Sequence, residues 1–311
     1  MTALVARLVG LSIALLLAGA CPATAQSTDE LKKTCTNEDQ PKAALPACDS
    51  LIASGKFAGA ELVALYVARG TALLYLRRNE EAIAQLNKAI ALDYKLADAY
   101  RARGAAYAGK GDLDRALGDY DRAIALRPDD AKLLFERALL HMAMLHHDLA
   151  VEDLSRILAR DDKDADAYAT RASAYQRLHQ YGPALADYDK LIALQPDAAD
   201  GWNGRCWARA LSGHPAEALA DCDQALKLAP KYAAAFDSRG MAHLKLGQLA
   251  EAIADYSAAL KLEPGLTPSL FGRGLARLRS GDKAGGNADL AAARKRNPNI
   301  DRVFAEWGVT L

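Results

Sequence analysis

Two kinds of side chain recur at spacings that could do chemistry: arginine with aspartate, and cysteine. Arginine stands at Arg69, Arg103, Arg137, Arg171, Arg205, Arg239 and Arg273, one every 34 residues. Aspartate follows at the same interval at Asp119, Asp153, Asp187, Asp221, Asp255 and Asp289, with Gln85 in the corresponding place ahead of them. A guanidinium offers a planar fork of donors that matches a carboxylate or a phosphate. A bare row of arginines would suit polyphosphate or nucleic acid. Here almost every arginine has a carboxylate to answer it, so the expectation is a repeated structural ion pair, within or between repeats. Cysteine supplies the second chemistry, as Cys21, Cys35, Cys48, Cys206 and Cys222. No C-x-x-C spacing or adjacent histidine pair completes a four-ligand zinc set, so disulfides are expected and no metal.

Other candidates carry less. His146, His147, His179 and His214, with Met142 and Met144 nearby, have the side chains of a copper or pH-sensing site. The plainer reading is solvent-exposed histidines in turns. The chain has no G-x-S-x-G, no glycine-rich phosphate loop and no H-E-x-x-H, so no catalytic residue and no cofactor are expected. Lysine plus arginine equals aspartate plus glutamate at 39 each, which gives no net field toward nucleic acid or an anionic membrane.

The elements that must position these side chains repeat with the same period. Tyr100, Gly104, Tyr107, Ala116, Tyr120, Ala123 and Pro128 are matched by Phe236, Gly240, His243, Ala252, Tyr256, Ala259 and Pro264, four periods on. A fixed period of this size marks a solenoid, whose units bury their apolar faces only by stacking. Counted from Ala97, units cover 63–96, 97–130, 131–164, 165–198, 199–232, 233–266 and 267–300. Each holds two helical stretches around a short turn. Pro128, Pro196, Pro230, Pro264 and Pro298 close five of them, because proline stops a helix.

These units resemble tetratricopeptide (TPR) repeats, with an aromatic at position 4, glycine at 8, tyrosine at 11, alanine at 20, an aromatic at 24 and proline at 32. Position 4 here is Tyr66, Tyr100, Leu134, Tyr168, Trp202, Phe236 and Leu270, and position 20 is alanine from Ala82 to Ala252, then Gly286. The third and seventh units depart most, through Asp162 at position 32 and through Gly285-Gly286. The resemblance implies an all-α fold, a right-handed α-solenoid of seven helix-turn-helix repeats that binds proteins or peptides. Residues 26–62, with one helix expected over Ala43–Ser54, and residues 301–311, apolar at Val303, Phe304 and Trp307, would cap its ends.

Column by column, the repeat places the oddities. Positions 8 and 24 face each other across the hairpin, usually as a small residue opposite a large one. Only the fifth unit has cysteine at both, Cys206 and Cys222, which predicts a disulfide between them and leaves Cys35 to Cys48. The remaining alternative is reduced, buried thiols. In a TPR stack the first helices line the concave face, with positions 5 and 9 pointing into it. That face then carries an apolar strip, Phe135, Leu139, Trp207, Met241, Phe271 and Leu275, read as a partner-binding groove for an amphipathic helix or an extended apolar segment. The alternative is that the same residues pack between units or against a closing helix. The lysine and asparagine that clamp a peptide carboxylate in some TPR domains are absent apart from Asn203.

Residues 1–25 read separately. Arg7, the uncharged stretch Leu8–Ala20 and the small residues Ala23-Thr24-Ala25 form a secretory signal pattern, too short to span a bilayer comfortably. Cleavage near Ala25 would leave four cysteines, an even count that suits an oxidising periplasmic or extracellular setting. Ala18-Gly19-Ala20-Cys21 resembles a bacterial lipobox, so the alternative is an adaptor anchored by a lipid on Cys21 in envelope assembly. The sequence therefore predicts an exported interaction scaffold without enzymatic, nucleic-acid-binding or membrane-spanning function.

Overall fold

A computed structural model describes residues 27–310. The signal pattern over 1–25, with Cys21 and the cleavage site at Ala25, lies outside the described residues. Those residues form seventeen α-helices. Two helices precede the repeats, α1 (Thr28–Cys35) and α2 (Pro41–Ala53). Seven hairpins follow: α3 (Gly59–Tyr75) with α4 (Asn79–Leu92), α5 (Ala97–Gly109) with α6 (Leu113–Leu126), α7 (Ala131–Ala143) with α8 (His147–Leu158), and α9 (Ala165–Arg177) with α10 (Tyr181–Leu194). The last three are α11 (Ala199–Leu211) with α12 (Pro215–Leu228), α13 (Ala233–Lys245) with α14 (Leu249–Leu262), and α15 (Thr267–Ser280) with α16 (Lys283–Arg296). A short α17 (Ile300–Glu306) closes the chain.

Two expectations about the ends need correction. The N-terminal segment holds two helices where one was predicted; Ser27 and Glu30 form a reciprocal capping box that starts α1. The first repeat helix begins at Gly59, four residues ahead of the predicted boundary at 63. The second helix of the third hairpin, where Asp162 replaces proline, ends early at Leu158.

Hairpin turns place their position 15 in the left-handed region. Glycine supplies it at Gly111, Gly213, Gly247 and Gly281, whereas Arg77, Leu145 and His179 adopt it with a side chain. Each second helix packs on its own partner and on the next first helix, while first helices of neighbouring hairpins also touch one another in every pair but α5 and α7. First helices therefore form the inner layer of the α-solenoid. Position 20, from Ala82 to Ala252, is fully buried, because only a methyl group fits between two helices this close.

Large residues at position 24 fill the space between hairpins, and the next hairpin makes room at its position 6. Tyr188 is answered by Gly204 and Tyr256 by Gly272. A Cβ on Gly272 would lie 2.6 Å from the Tyr256 hydroxyl oxygen, and one on Gly204 would lie 2.9 Å from that of Tyr188.

Candidate functional site

The arginine ladder works both within and between hairpins. In six hairpins, position 7 donates through Nε and Nη2 to both oxygens of the aspartate at position 23, as in Arg103–Asp119 (2.8 and 2.7 Å) and Arg239–Asp255 (2.8 and 2.7 Å). Arg137–Asp153, Arg171–Asp187, Arg205–Asp221 and Arg273–Asp289 repeat the geometry. The third arm, Nη1, reaches position 25 of the preceding hairpin: Asn87 from Arg103 (2.6 Å), Asp121 from Arg137 (2.7 Å), Ser155 from Arg171 (3.0 Å), Asp189 from Arg205 (2.6 Å) and Asp223 from Arg239 (2.7 Å). Position 4 aromatics lie over the same guanidinium, Trp202 against Arg205 at 5.0 Å and Tyr100 against Arg103 at 5.4 Å. Hydrogen bonds to Asp119 hold the Arg103 guanidinium above its ordinary pKa against the opposing effect of burial. Arg69, opposite Gln85, turns instead to Asp49 of α2. With its arms engaged, the ladder presents no open row of cations to a polyanion.

Both predicted cysteine pairs stand at disulfide distance. Cα atoms are 4.8 Å apart in Cys35–Cys48 and 5.4 Å apart in Cys206–Cys222, and all four side chains are buried. The first pair ties α1 to α2, and the second ties α11 to α12. No group of three or more His, Cys, Asp or Glu side chains among the described residues is placed to hold a metal ion. His146, His179 and His214 are exposed.

The predicted binding strip does not form one open groove. Met241, Phe271 and Leu275 are buried, at 1, 2 and 1 % exposure. The chain doubles back after α16 and lays residues 300–309 across the first helices of the last three hairpins. Phe304 packs 4.6 Å from Phe271, and Trp307 stands edge-on to Trp207 at 5.0 Å. Ile300 and Val309 are buried with them. These three residues are thus unavailable to a partner, and Trp207 is half covered. The physical reason is the aromatic content of the closing segment, which packs Phe304 on Phe271 and Trp307 on Trp207 and so removes apolar area on both sides from water. Phe135 packs half-buried against the core of hairpins three and four, and Leu139 alone of the six is exposed.

The open part of the inner face is at the other end. A cavity of about 630 Å³ lies between the α1–α2 loop, α3, α5 and the start of α7. Its floor is apolar and small-sided: Ala60, Val63, Ala64, Val67 and Ala68 of α3, with Ala99 of α5. Its rim is charged with both signs, Glu38, Asp93, Asp98 and Asp130 against Arg101, Arg127 and Lys132. Most of the rim is fixed by pairing. Arg127 binds Asp98 with two arms, Arg101 donates to Glu136 at 3.2 Å, and the Tyr75 hydroxyl donates to Glu38 at 3.2 Å. Burial and the nearby Glu38 carboxylate raise the Tyr75 pKa, keeping that hydroxyl a donor. The repeat register pointed to Val67 and Arg101 as inward-facing at position 5. It gave no sign of a cavity, since one wall is the α1–α2 loop, which lies outside the register.

Four tetratricopeptide-repeat family models match the chain, over residues 70–111, 104–173, 169–233 and 233–266. Together they span more than half of it, and the chain belongs to the tetratricopeptide-repeat family. No curated protein matches it. Among solved structures, it is similar to the C-terminal part of a TPR repeat-containing protein from Cytophaga hutchinsonii (15% identity, 79% of this chain and 99% of that one, TM-score 0.64). It is also similar to a tetratricopeptide repeat protein from Parabacteroides merdae (19%, 86% and 99%, 0.57) and to the APC/C hetero-tetramer Cut9–Hcn1 (14%, 90% and 54%, 0.59). At these identities the likenesses show the fold.

Proposed function

We propose that this chain is an exported scaffold that holds a peptide segment of a partner protein in the N-terminal half of its inner face. The cavity against α3 carries this reading. An apolar floor of small side chains admits the close approach of another backbone, and a charged rim orients it. The C-terminal half of the same face already holds a segment of this chain, which illustrates how the layer accommodates an added helix. Export is supported by the signal pattern at Arg7–Ala25 and by two cysteine pairs at disulfide distance, as an oxidising compartment would favour.

Ala64 is exposed at the centre of the floor, so Ala64→Arg should leave the helical circular dichroism unchanged and block the cavity. Crosslinking with mass spectrometry in the producing cell should then lose the partners captured by the unmodified chain. Undiminished capture would place the partner elsewhere. The lipobox-like Ala18-Gly19-Ala20-Cys21 supports a second reading, anchorage by a lipid. Mass spectrometry of the mature N-terminus separates the two: a start at Gln26 speaks for cleavage and release, a diacylated Cys21 for the anchor.

A further inference from the structure

The ladder arginines divide their donors in one way. Nε and Nη2 bind both oxygens of one carboxylate, and Nη1 reaches a second group on a neighbouring hairpin. Three of them hold two aspartates each by this division: Arg137 with Asp153 and Asp121, Arg205 with Asp221 and Asp189, Arg239 with Asp255 and Asp223. Arg101, outside the ladder at position 5 of α5, follows the pattern halfway. Its Nη1 donates to Glu136 of the next hairpin at 3.2 Å, while Nε and Nη2 have no acceptor among the described residues. No other hairpin places a cation at position 5, which reads Val67, Phe135, Ala169, Asn203, Asp237 and Phe271.

The empty edge opens onto the inner-face cavity. Arg101 lines that cavity, and neither free nitrogen is sealed within the protein. Its side chain is 15 % exposed, and so lies deeper than the paired rim charges Arg127, Asp98 and Asp130, at 46, 56 and 28 %. Guanidinium donors withdrawn from bulk water and left without an acceptor cost stability. The rim does not supply the acceptor. Arg127 holds Asp98 with two arms, and Glu38 accepts from Tyr75. Lys132 and Asp93, opposite in sign, make no ion pair among the described residues and offset one another.

On the reading of this cavity as a peptide site, we propose that Arg101 selects a partner segment carrying an acidic side chain, aspartate or glutamate. The carboxylate takes the Nε–Nη2 edge in the bidentate manner of the ladder, and Glu136 keeps Nη1, as Asp121, Asp189 and Asp223 do for their arginines. Because Arg101 is set back from the rim, the carboxylate must arrive on a stem. An acidic side chain brings both parts at once, methylenes for the apolar floor at Ala64, Val67 and Ala68 and two oxygens for the fork.

The full chain, labelled with ¹⁵N-arginine, is titrated with acetyl-Ala-Val-Glu-Val-Ala-amide, with its glutamine counterpart, and with that counterpart as the free C-terminal acid, against sodium chloride of equal ionic strength. The Arg101 Nε resonance, assigned by its loss in Arg101→Lys, should move saturably with the glutamate peptide and stay still with the glutamine amide. By calorimetry the glutamine amide should bind about tenfold more weakly, the worth of one charge-assisted hydrogen bond. Arg101→Lys keeps a charge beside Glu136 and has no two-donor edge. It should weaken the glutamate peptide by a similar factor, with the glutamine amide and the helical circular dichroism unchanged. An Arg101 resonance that answers the glutamate peptide no more than salt overturns the proposal, as does an Arg101→Lys chain that binds it like the parent. If the free acid moves Arg101 as far as the glutamate peptide does, the occupant is a chain terminus and the side-chain assignment falls. Partner capture in the producing cell separates this proposal from the reading beneath it. Capture lost in Ala64→Arg and kept in Arg101→Lys overturns the acidic selection and leaves the cavity as the peptide site, whereas capture kept in both overturns both.

Discussion

At the scale of single residues, charge is buried here only where a repeat can satisfy it. Asp153 is 1 % exposed and Asp221 2 %, yet each receives two parallel donors from an arginine and sits in a column whose backbone geometry recurs. Breaking such a pair strands a buried charge, which is why the column admits so little variation within the chain. Asp237 is the exception. It lies at position 5 of α13, where its only hydrogen bond among the described residues is from the Ser269 hydroxyl, and burial pushes its carboxyl pKa up to about 6 although Ser269 opposes the shift. The unpartnered hydroxyl of Tyr256 lies close by, itself pushed well up by burial. A carboxyl whose folded pKa exceeds its unfolded value of about 3.9 contributes stability that is full below that value and lost as pH rises through the folded pKa. For Asp237 the loss falls between about pH 4 and pH 6. Asp237→Asn keeps an acceptor for Ser269 and removes the titration. Urea midpoints of parent and variant should therefore run together at pH 4 and separate toward pH 7, with the variant more stable at the higher pH. Parallel curves across that range would show that Asp237 ionises freely.

At the scale of elements, the hairpins are held by a reciprocity of volume that runs along the chain. Position 24 of one hairpin and position 6 of the next read Leu86 with Ala102, Leu154 with Thr170, Cys222 with Ser238, Tyr188 with Gly204 and Tyr256 with Gly272. Glycine appears where tyrosine must pass between first helices. In the remaining pair, Tyr120 meets Glu136, which is drawn aside by Arg101. Gly272→Ala should therefore cost about 1–3 kcal/mol by overpacking, since the tyrosine ring is enclosed and has no free rotamer to retreat into. Adding Tyr256→Leu, the residue that sits opposite Ala102 and Thr170 in its own column, should recover part of that loss in a double-mutant cycle by thermal denaturation. Additive losses would mean that the two positions do not share the space. The small-large pairing across one hairpin, positions 8 and 24, was legible from the sequence because both lie in one unit at a fixed sum. The pairing between hairpins was equally present in the columns, but it emerges only once the helices are stacked and the tyrosine is seen to reach past its own partner. Helix α1 went unread for a different reason: at eight residues it has no period, and its capping box is its one local signal.

At the scale of the whole molecule, the inner face divides into an open N-terminal half and a C-terminal half closed by the chain itself. The period predicts the face, and it cannot predict this division, because residues 301–310 carry no repeat register and their docking depends on which apolar surface lies within reach. Their composition did predict a closing helix. What composition could not show is that it crosses to Trp207, two hairpins back, and buries Met241, Phe271 and Leu275 on the way. A solenoid has nearest-neighbour stability, so the consequence of removing this segment should be local. Ending the chain at Arg296 would uncover those three residues and deprive the last hairpin of an apolar cover worth about 25 cal/mol per Å². Amide hydrogen exchange should then accelerate through α13–α16, fade across α11 and α12, and leave α3–α8 at parent rates. The Cys206–Cys222 pair sits where that gradient should stop, because a covalent tie between α11 and α12 restricts opening of the fifth hairpin. Reducing agent should therefore carry the accelerated exchange of the truncated chain further toward the N-terminus. Uniform acceleration over all seven hairpins would instead mean that the stack opens as one cooperative unit, with the closing segment guarding the whole of it.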